Sequence, residues 1–444
     1  MFRGAPPVVR PAGGPRRTAG HLRPPAGRQH WRMSFMDEVN AWLSGRAIPL
    51  GGLEPDRGPA DLAPLRAVLG GSRVVGLGEA THGSAEFFLL RWRVTEFLIK
   101  ELGFTTLAIE ASAAAALAVD DYVRTGVGDA RTALAGLGFW TLDTAEMLTV
   151  IERLREHNRT AARPVRFAGV DPQHPGAALR ALRRCLDAAG RDLLGPLDVL
   201  AVTRWGPGRE PTGPQVLADA RRLEEHVAAY GPEQAREPAR IVRQFADLCT
   251  RPFAHADPER TLGVARDRHM AANVSLLLAA DPGARIALWA HNGHVTKGAH
   301  SGGHVPAMGR HLAREHGAAY YALGALFGRG GFRAHRSRFG RIVRGGPRRF
   351  RVPPARATRV VEARLAAARP GDYLVDLRGG DRPRPVAEWL AATSHLRAFG
   401  AVAGRFTAPF AFMPSVLGDE FDGLAFVARA TCSTPLPPET GRPS

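Results

Sequence analysis

Seven short apolar runs constrain the fold of this 444-residue chain most strongly. Each is six to eight residues long, and glycine, proline or charged residues separate it from the next. The runs are continuously apolar rather than alternating, which is typical of strands that are covered on both faces. They occupy Arg73–Gly78, Thr105–Glu110, Val165–Val170, Arg285–Ala290, Tyr320–Phe327, Asp372–Leu377 and Gly423–Ala428. The sequence therefore predicts an α/β fold, with a central, mostly parallel or mixed sheet flanked by helices.

The segments between these runs predict helices. Ser84 is suited to cap the N-terminus of a helix that reaches about Glu101, and Gly103 is suited to end it. Residues 113–123 and 144–160 are also expected to be helical.

The domain organisation follows from where strand runs are absent. Residues 176–280 contain none and are mostly helical in pattern, so we expect a helical insertion that forms a lid or a cleft wall. The α/β catalytic core would then consist of residues 36–175 and 281–433. Residues 434–444 are expected to be a flexible tail.

The formal net charge of +18 is concentrated in two segments. Residues 1–34 hold seven arginines and residues 329–359 hold eleven, with no acidic residue in either, which accounts for the whole excess. The first segment is too rich in proline, glycine and arginine to bury apolar surface. It predicts a disordered tail over 1–35, and a translation start at Met33 or Met36 is an alternative explanation.

The second basic segment predicts exposed strands or a loop with arginine directed outward. Phe350 and Val352 alternate with arginines there, and glycines interrupt the segment. Aromatic residues for base stacking are sparse, which argues against nucleic acid as a partner. Polyanion binding by a non-enzymatic protein remains an alternative reading of this charge.

No apolar run approaches the ~18 residues needed to cross a bilayer, so we expect no membrane partner and a cytoplasmic location. Cys185, Cys249 and Cys432 lie far apart and lack the spacing of a metal or redox site. We expect inert thiols in a reducing compartment.

Titratable residues follow four of the predicted strands. Ligands of open α/β sheets bind beyond the carboxyl ends of the strands, so these residues predict a functional cluster at one sheet edge. They are Glu79 and His82 after the first run, Glu110 at the end of the second, Asp171 after the third, and His291 and His294 after the fourth.

Several of these residues have simpler explanations. Glu79 could serve only the dipole of the following helix, Glu110 could anchor an ion pair, and Asp171 could cap a helix. Arg91 interrupts the apolar stripe of the predicted helix after Ser84, and Glu79 or Glu110 could neutralise it. The alternative for Arg91 is a side chain that extends to solvent.

A series of motifs resembles the erythromycin esterase family over about residues 45–433. In chain order they are GEATHGSAEFFLLRWRV, LAIEA, GFWTLDTAEM, GVDPQ, RDRHMAANV, WAHNGHV, PAMG and FDGLAFVARAT. The resemblance implies an α/β fold with helical additions and a cleft that hydrolyses an ester. In the founding members that ester is the lactone of a macrolide.

The resemblance also implies roles for individual residues. His82 would be the general base that activates water, with no metal or other cofactor required. The absence of a GxSxG motif disfavours a serine acyl-enzyme. The expected catalytic residues are His82, Glu79, Glu110, His291 and Arg91, and the expected substrate-binding residues are His294 and Asp171.

The same Glu/His cluster also permits a metal-dependent hydrolase, because all its side chains except Arg91 are acceptable ligands. For the esterase reading, Arg91, a second histidine or backbone N–H groups near Ser84 could stabilise an oxyanion. The expected partner is a small-molecule ester or lactone. The arginines of 329–359 would favour an anionic substrate over a macrolide that carries an amino sugar.

Overall fold

The structure is a computed structural model that describes residues 26–203, 209–300, 305–338 and 341–437, with side chains from residue 35 onward except at 299–300. Its strands are β1 (Ile48–Pro49), β2 (Val74–Leu77), β3 (Thr106–Ser112), β4 (Arg166–Asp171), β5 (Ile286–Trp289), β6 (Ala299–His300), β7 (Val305–Pro306), β8 (Tyr320–Arg338), β9 (Arg341–Ile342), β10 (Arg348–Val352), β11 (Tyr373–Asp376), β12 (Thr393–Arg397), β13 (Val402–Gly404), β14 (Phe412–Val416) and β15 (Gly423–Ala430).

Its α-helices are α1 (Ala26–Arg46), α2 (Leu65–Leu69), α3 (Ala85–Leu102), α4 (Ala113–Thr125), α5 (Ala130–Gly136), α6 (Ala145–Thr160), α7 (Gly176–Cys185), α8 (Ala188–Leu194), α9 (Val199–Val202), α10 (Gln215–Tyr230), α11 (Glu233–Cys249), α12 (Leu262–Ala280), α13 (Asn292–Val295), α14 (Met308–His316), α15 (Val361–Ala368), α16 (Arg384–Ala391) and α17 (Leu417–Glu420).

The main sheet confirms the predicted fold class. Its strands lie in the order β1-β11-β15-β8-β2-β5-β3-β4. The six strands from β15 to β4 are parallel, whereas β11 is antiparallel to β15, and the edge strand β1 is antiparallel to β11. All seven predicted runs are strands of this sheet, because each is apolar enough to be buried between helical layers.

Helix α3 begins and ends close to the residues that the sequence predicted. Ser84 is its N-cap residue, and Gly103 ends it in the left-handed conformation with φ of 67°. The Ser84 hydroxyl donates to the Glu86 carboxylate at 3.0 Å and does not cap the helix backbone.

The predicted helical insertion, 176–280, spans helices α7 to α12. Helices α7 to α11 share an apolar core of their own, which includes Leu223 and Phe245. Helix α12, however, buries Met270 and Val274 in the core of the sheet and packs against β4 and α14. Helix α12 therefore contributes to both cores, since its Ala265 packs with the insertion.

The predicted tails are shorter than expected where the structure describes them. Helix α1 begins at Ala26, within the predicted tail 1–35, and Val39 and Leu43 anchor it in the core. Residues 1–25 lie outside the described residues. Residues 434–437 are not free either, since the N–H of Thr434 donates to the Glu146 carboxylate at 3.0 Å. The rest of the predicted C-terminal tail, 438–444, is not described.

Part of the basic segment 329–359 forms strands, with arginine directed outward in β10 as predicted, whereas Arg333 and Arg336 of β8 are half-buried. The second half of β8 pairs with β10, and Phe350 and Val352 of β10 face inward while Arg349 and Arg351 are exposed. Among the described helices, none is long and apolar enough to cross a membrane. Cys249 is buried, Cys185 and Cys432 are half-buried, and all three are free thiols.

Candidate active site

The predicted cluster assembles at the carboxyl edge of four neighbouring strands. Strands β2, β5, β3 and β4 are adjacent and parallel, so their carboxyl ends meet on one side. The pairing of β3 with β4 shifts register between Ile109 and Ser112. Glu110 lies within this irregular segment, where a bulge can redirect a side chain.

Glu79 and His82 form a hydrogen-bonded pair. Nδ1 of His82 lies 2.8 Å from Oε1 of Glu79. Burial alone would raise the pKa of Glu79, but Arg91 and His82 hold that pKa below its ordinary value. The carboxylate is therefore ionised and must accept, so Nδ1 carries a proton, and in the neutral ring Nε2 carries the lone pair. Nε2 makes no hydrogen bond with any described residue.

Arg91 is a buried counter-ion of Glu79. Its Nη2 lies 2.8 Å from Oε2 of Glu79, and its side chain is only 4% exposed. The guanidinium lies over the rings of Phe88 and Trp289, with its carbon 5.1 and 4.7 Å from their centroids. The side chain does not extend to solvent, so the simpler explanation for Arg91 is wrong.

Arg266 of α12 joins two strand ends. Its Nη2 lies 2.7 Å from Oε1 of Glu110 and 2.5 Å from Oδ2 of Asp171, and its Nε lies 3.0 Å from the same Asp171 oxygen. Asp171 is fully buried and does not line the cavity at this site. Substrate binding by Asp171 stays a prediction; in this structure its side chain contacts Arg266 and not the cavity.

His294 lies between two carboxylates. Its Nδ1 is 2.7 Å from Oδ1 of Asp267, and its Nε2 is 3.2 Å from Oε1 of Glu110. Burial would lower the pKa of His294, but these two carboxylates raise it to about 10. The ring is therefore a cation near neutral pH. Protonated His294 and Arg266 in turn hold the pKa of Glu110 well below its ordinary value, against the effect of burial.

His291 is neutral and fixed at both nitrogens. The N–H of Gly293 donates to its Nδ1 at 3.1 Å, so Nε2 carries the proton and donates to the Phe399 carbonyl at 3.1 Å. Burial lowers the pKa of His291 to about 4, and nearby His82 contributes in the same direction. The two rings are 5.1 Å apart, so His291 packs beside His82 and has no free lone pair to act as a base.

These groups surround a cavity of about 350 Å³. Part of its wall comes from Phe139–Leu142 and from Gly400 and Ala401. Of the predicted insertion, 176–280, Arg266 is the residue that lines the cavity. The lining residues are Glu79, His82, Phe88, Arg91, Ile109, Glu110, Phe139, Trp140, Thr141, Leu142, Gln173, Arg266, Trp289, Ala290, His291, His294, Gly400 and Ala401. The loop before α6 and the segment after β12 thus supply more of this wall than the insertion predicted to form it.

Arg266 and Asp267 were not identified from the sequence, although a signal for Asp267 was present. Asp267 shares a helical face with Val264, Ala271 and Val274, all of which are buried. A charge that interrupts an apolar face requires a partner, and the same argument identified Arg91. Gln173 and Trp140 gave no comparable signal, because loop residues have no periodic face.

The glycines of the first motif serve packing. A Cβ on Gly78 would lie 2.1 Å from Oδ1 of Asn292, and one on Gly83 would lie 2.0 Å from the backbone oxygen of Arg333. Both glycines therefore let other chain segments approach the turn. The start of α3 is covered in the same way, since the N–H of Ala85 donates to the Thr431 carbonyl at 3.1 Å. That N–H group is not available to a substrate.

Within the described ranges, no group of three or more His, Cys, Asp or Glu side chains is arranged to hold a metal ion. Glu79, Glu110 and Asp171 are each paired with a guanidinium, which competes with a metal for the same oxygens. The donor geometry does not favour the metal-dependent alternative.

Comparison with known proteins gives the family. A family model described as erythromycin esterase matches residues 99–430, and the chain belongs to this family. Two related Escherichia coli proteins are erythromycin esterase type II, 34% identical over 139 residues, and erythromycin esterase type I, 25% identical over 290 residues. The matches cover 31% of this chain and 33% of the type II enzyme, and 56% of this chain and 69% of the type I enzyme. Family membership supports a hydrolase.

Solved structures agree with the fold. A Bacillus cereus protein has a TM-score of 0.77 at 24% identity and covers 90% of this chain and 99% of its own. A mutant of the erythromycin esterase EreC in its open conformation has a TM-score of 0.64 at 19% identity, and the match covers 85% of this chain and 96% of that protein. At these identities the likeness concerns the fold alone. The family match at 99–430 begins after Glu79, His82 and Arg91, so their roles depend on the site geometry.

Proposed function

We propose that this protein hydrolyses a carboxylic ester or lactone by direct attack of water, with His82 as the general base. The observation that carries the proposal is the ionised Glu79 held against Nδ1 of His82, which leaves the Nε2 lone pair of this cavity-lining ring unengaged among the described residues. An imidazole in this tautomer can take a proton from water near neutral pH.

The charges around His82 suit the rest of this reaction. Attack on the ester carbon forms a tetrahedral intermediate with a negative oxygen, which preorganised donors can stabilise. Arg91 and Arg266 line the cavity with positive charge, and the side-chain amide of Gln173 makes no hydrogen bond with other described residues. The proton held by His82 can then pass to the departing alkoxide, which restores the neutral ring.

Glu110, His291 and His294 hold the site in shape. Glu110 accepts the N–H of His291 at 3.0 Å and pairs with protonated His294. Both ring nitrogens of His291 and both of His294 are already engaged, so we propose positioning roles for these histidines. Binding of substrate by His294 would require it to exchange one of its carboxylate partners.

The cavity bears on the choice of substrate. A volume of about 350 Å³ is near the lower end of the ~300–1,000 Å³ typical of small-molecule sites. It fits a small ester, or the reacting part of a larger molecule such as a macrolide. The names of the E. coli relatives make a macrolide lactone the first candidate to test.

The test is a panel of macrolides and simple aryl and alkyl esters, with mass spectrometry to detect addition of one water. His82→Ala should lower kcat by about 10²–10⁴-fold on any active substrate, because the base is lost. Glu79→Gln should also lower kcat, since a neutral amide no longer fixes the tautomer. His255→Ala, at an exposed histidine outside the cavity, is the matched control and should keep full activity. Activity that survives in His82→Ala would refute the proposed base.

A further inference from the structure

A second cavity, of about 590 Å³, lies outside the candidate active site. The chain between β10 and α15 forms one wall, and the ends of β12 and β14 form the other. None of the residues that line it is acidic. They are Pro353, Pro354, Ala355, Arg356, Ala357, Arg359, Val360, His395, Arg397, Pro409, Phe410 and Phe412. We call this the Arg397 cleft.

Arg397 is a buried cation without a carboxylate partner in the described part of the chain. Its side chain is 1% exposed, and its guanidinium donates to the backbone carbonyls of Gly328, at 2.7 Å, and Pro353. Its Nε is buried and makes no hydrogen bond with a described residue. A buried charge is costly unless an opposite charge accompanies it, so this guanidinium is suited to receive an anion.

Glu362 does not neutralise Arg397 with a fixed charge. Its Oε1 accepts the backbone N–H of Arg397 at 2.7 Å, and no side-chain ion pair joins the two. Burial raises the pKa of Glu362 to about 7. The carboxyl group is therefore partly protonated near neutral pH, and the cleft keeps its positive charge.

Three more groups add donors to the same cleft. Arg356 and Arg359 are exposed and form no ion pair with the described residues. Nδ1 of His395 is buried and has no hydrogen-bond partner among them. Three guanidinium groups around one cavity match a doubly charged anion better than a single carboxylate.

Aromatic rings complete the cleft. Phe410 is 78% exposed at its rim, which is unusual for a phenylalanine of a folded chain. Phe412 is half-buried, and the carbon of the Arg397 guanidinium lies 5.8 Å from the centroid of its ring. An exposed ring beside a cationic pocket offers a stacking surface for a flat ligand.

We propose that the Arg397 cleft binds a phosphate monoester joined to a flat aromatic group, of the class to which nucleoside monophosphates belong. The phosphate, with a charge of about −1.5 to −2 at pH 7, lies against Arg397, Arg359 and Arg356. The ring of the ligand stacks on Phe410. This site is separate from ester hydrolysis and does not depend on it.

The cleft and the active site share one chain segment. Two residues beyond Arg397, the Phe399 carbonyl accepts the hydrogen bond from Nε2 of His291, and Gly400 and Ala401 line the active-site cavity. A ligand at Arg397 would therefore contact the strand that leads directly to this wall.

The test is isothermal titration calorimetry of the full-length protein with adenosine monophosphate, inorganic phosphate and adenosine. The monophosphate should bind with Kd below about 1 mM, and phosphate alone and adenosine alone should each bind at least tenfold more weakly. Arg359→Gln and Phe410→Ala should each raise Kd at least tenfold. Both positions are exposed, so circular dichroism should show an unchanged fold.

Arg348→Gln is the matched control, because Arg348 is exposed on β10, outside the cleft, and the same charge is removed. Its Kd should stay within twofold of the parent. Absence of binding by the monophosphate, or equal weakening in Arg348→Gln and Arg359→Gln, would overturn the site. Phosphate that binds as tightly as the monophosphate would overturn the role of Phe410.

Discussion

At the scale of single residues, the site combines three histidines in three different states. His82 donates from Nδ1 to Glu79 and leaves Nε2 unengaged among the described residues, His291 is neutral with both nitrogens engaged, and His294 is protonated between two carboxylates. The three side chains are chemically identical, so their neighbours cause the difference. His82 contacts one carboxylate, His291 contacts backbone groups, and His294 contacts two carboxylates. Only the first state suits general-base catalysis.

The two shifted histidines should affect stability in opposite pH ranges. His294 has a folded pKa of about 10 against ~6.5 unfolded, so its contribution is complete below pH ~6.5 and is lost as pH rises towards about 10. His291 has a folded pKa of about 4, so its unfolded form binds a proton first and stability falls as pH drops from ~6.5.

Urea unfolding between pH 5 and pH 9 would measure this behaviour. The advantage of the parent over His294→Gln should shrink as pH rises above ~6.5. Relative to the parent, His291→Gln should gain stability as pH falls below that value. Parallel pH profiles for all three proteins would show that the histidines do not have these protonation states.

At the scale of elements, the turn between β2 and α3 is held by close backbone packing. Gly83 accepts the N–H of Arg333 at 3.0 Å and the N–H of Ser433 at 2.9 Å through its carbonyl oxygen. Strand β8 and the chain after β15 therefore hold the turn that places His82. This explains why a glycine that does not line the cavity follows His82.

Gly83→Ala should destabilise the protein by about 1–3 kcal/mol, because the new Cβ would lie 2.0 Å from a backbone oxygen that cannot move alone. Gly136→Ala in α5 is the control, since no atom lies within 4 Å of its added Cβ. That change should be neutral or stabilise by up to about 1 kcal/mol. Thermal unfolding would compare them, and equal melting temperatures would contradict the packing argument.

At the scale of the whole molecule, Arg266 connects three parts of the fold. From α12 it reaches Asp171 at the end of β4 and Glu110 in β3, and its Nη1 lies 3.0 Å from Nε2 of His294 in α13. Both side chains also contact Oε1 of Glu110, whose negative charge offsets the repulsion between them. Loss of Arg266 would leave buried carboxylates without their cation.

Arg266→Met keeps the approximate size of the side chain and removes its charge. We expect a loss of about 3–5 kcal/mol in the free energy of unfolding, as found when one partner of a buried pair is removed. Arg183→Met, at an exposed pair with Asp198, is the control and should cost no more than about 1 kcal/mol. Urea denaturation gives both values, and similar losses would refute the central role of Arg266.

The sequence by itself determined the seven strands, the limits of α3 and the edge of the sheet where Glu79, His82, Glu110 and His291 meet. These follow from local apolar runs, from glycine at a helix end and from the common direction of parallel strands. The sequence does not show which core α12 joins, because its apolar residues serve both: Ala265 packs with the insertion, and Met270 and Val274 pack with the sheet.

Only the tertiary structure decided which carboxylate pairs with which cation. Arg266 is 156 residues from Glu110 and 95 from Asp171, and no local pattern relates such distant positions. The protonation of His294, the engagement of His291 and the burial of Asp171 all depend on these contacts. Electrostatic shifts depend on distance and burial in space, so they exist only once the chain has folded.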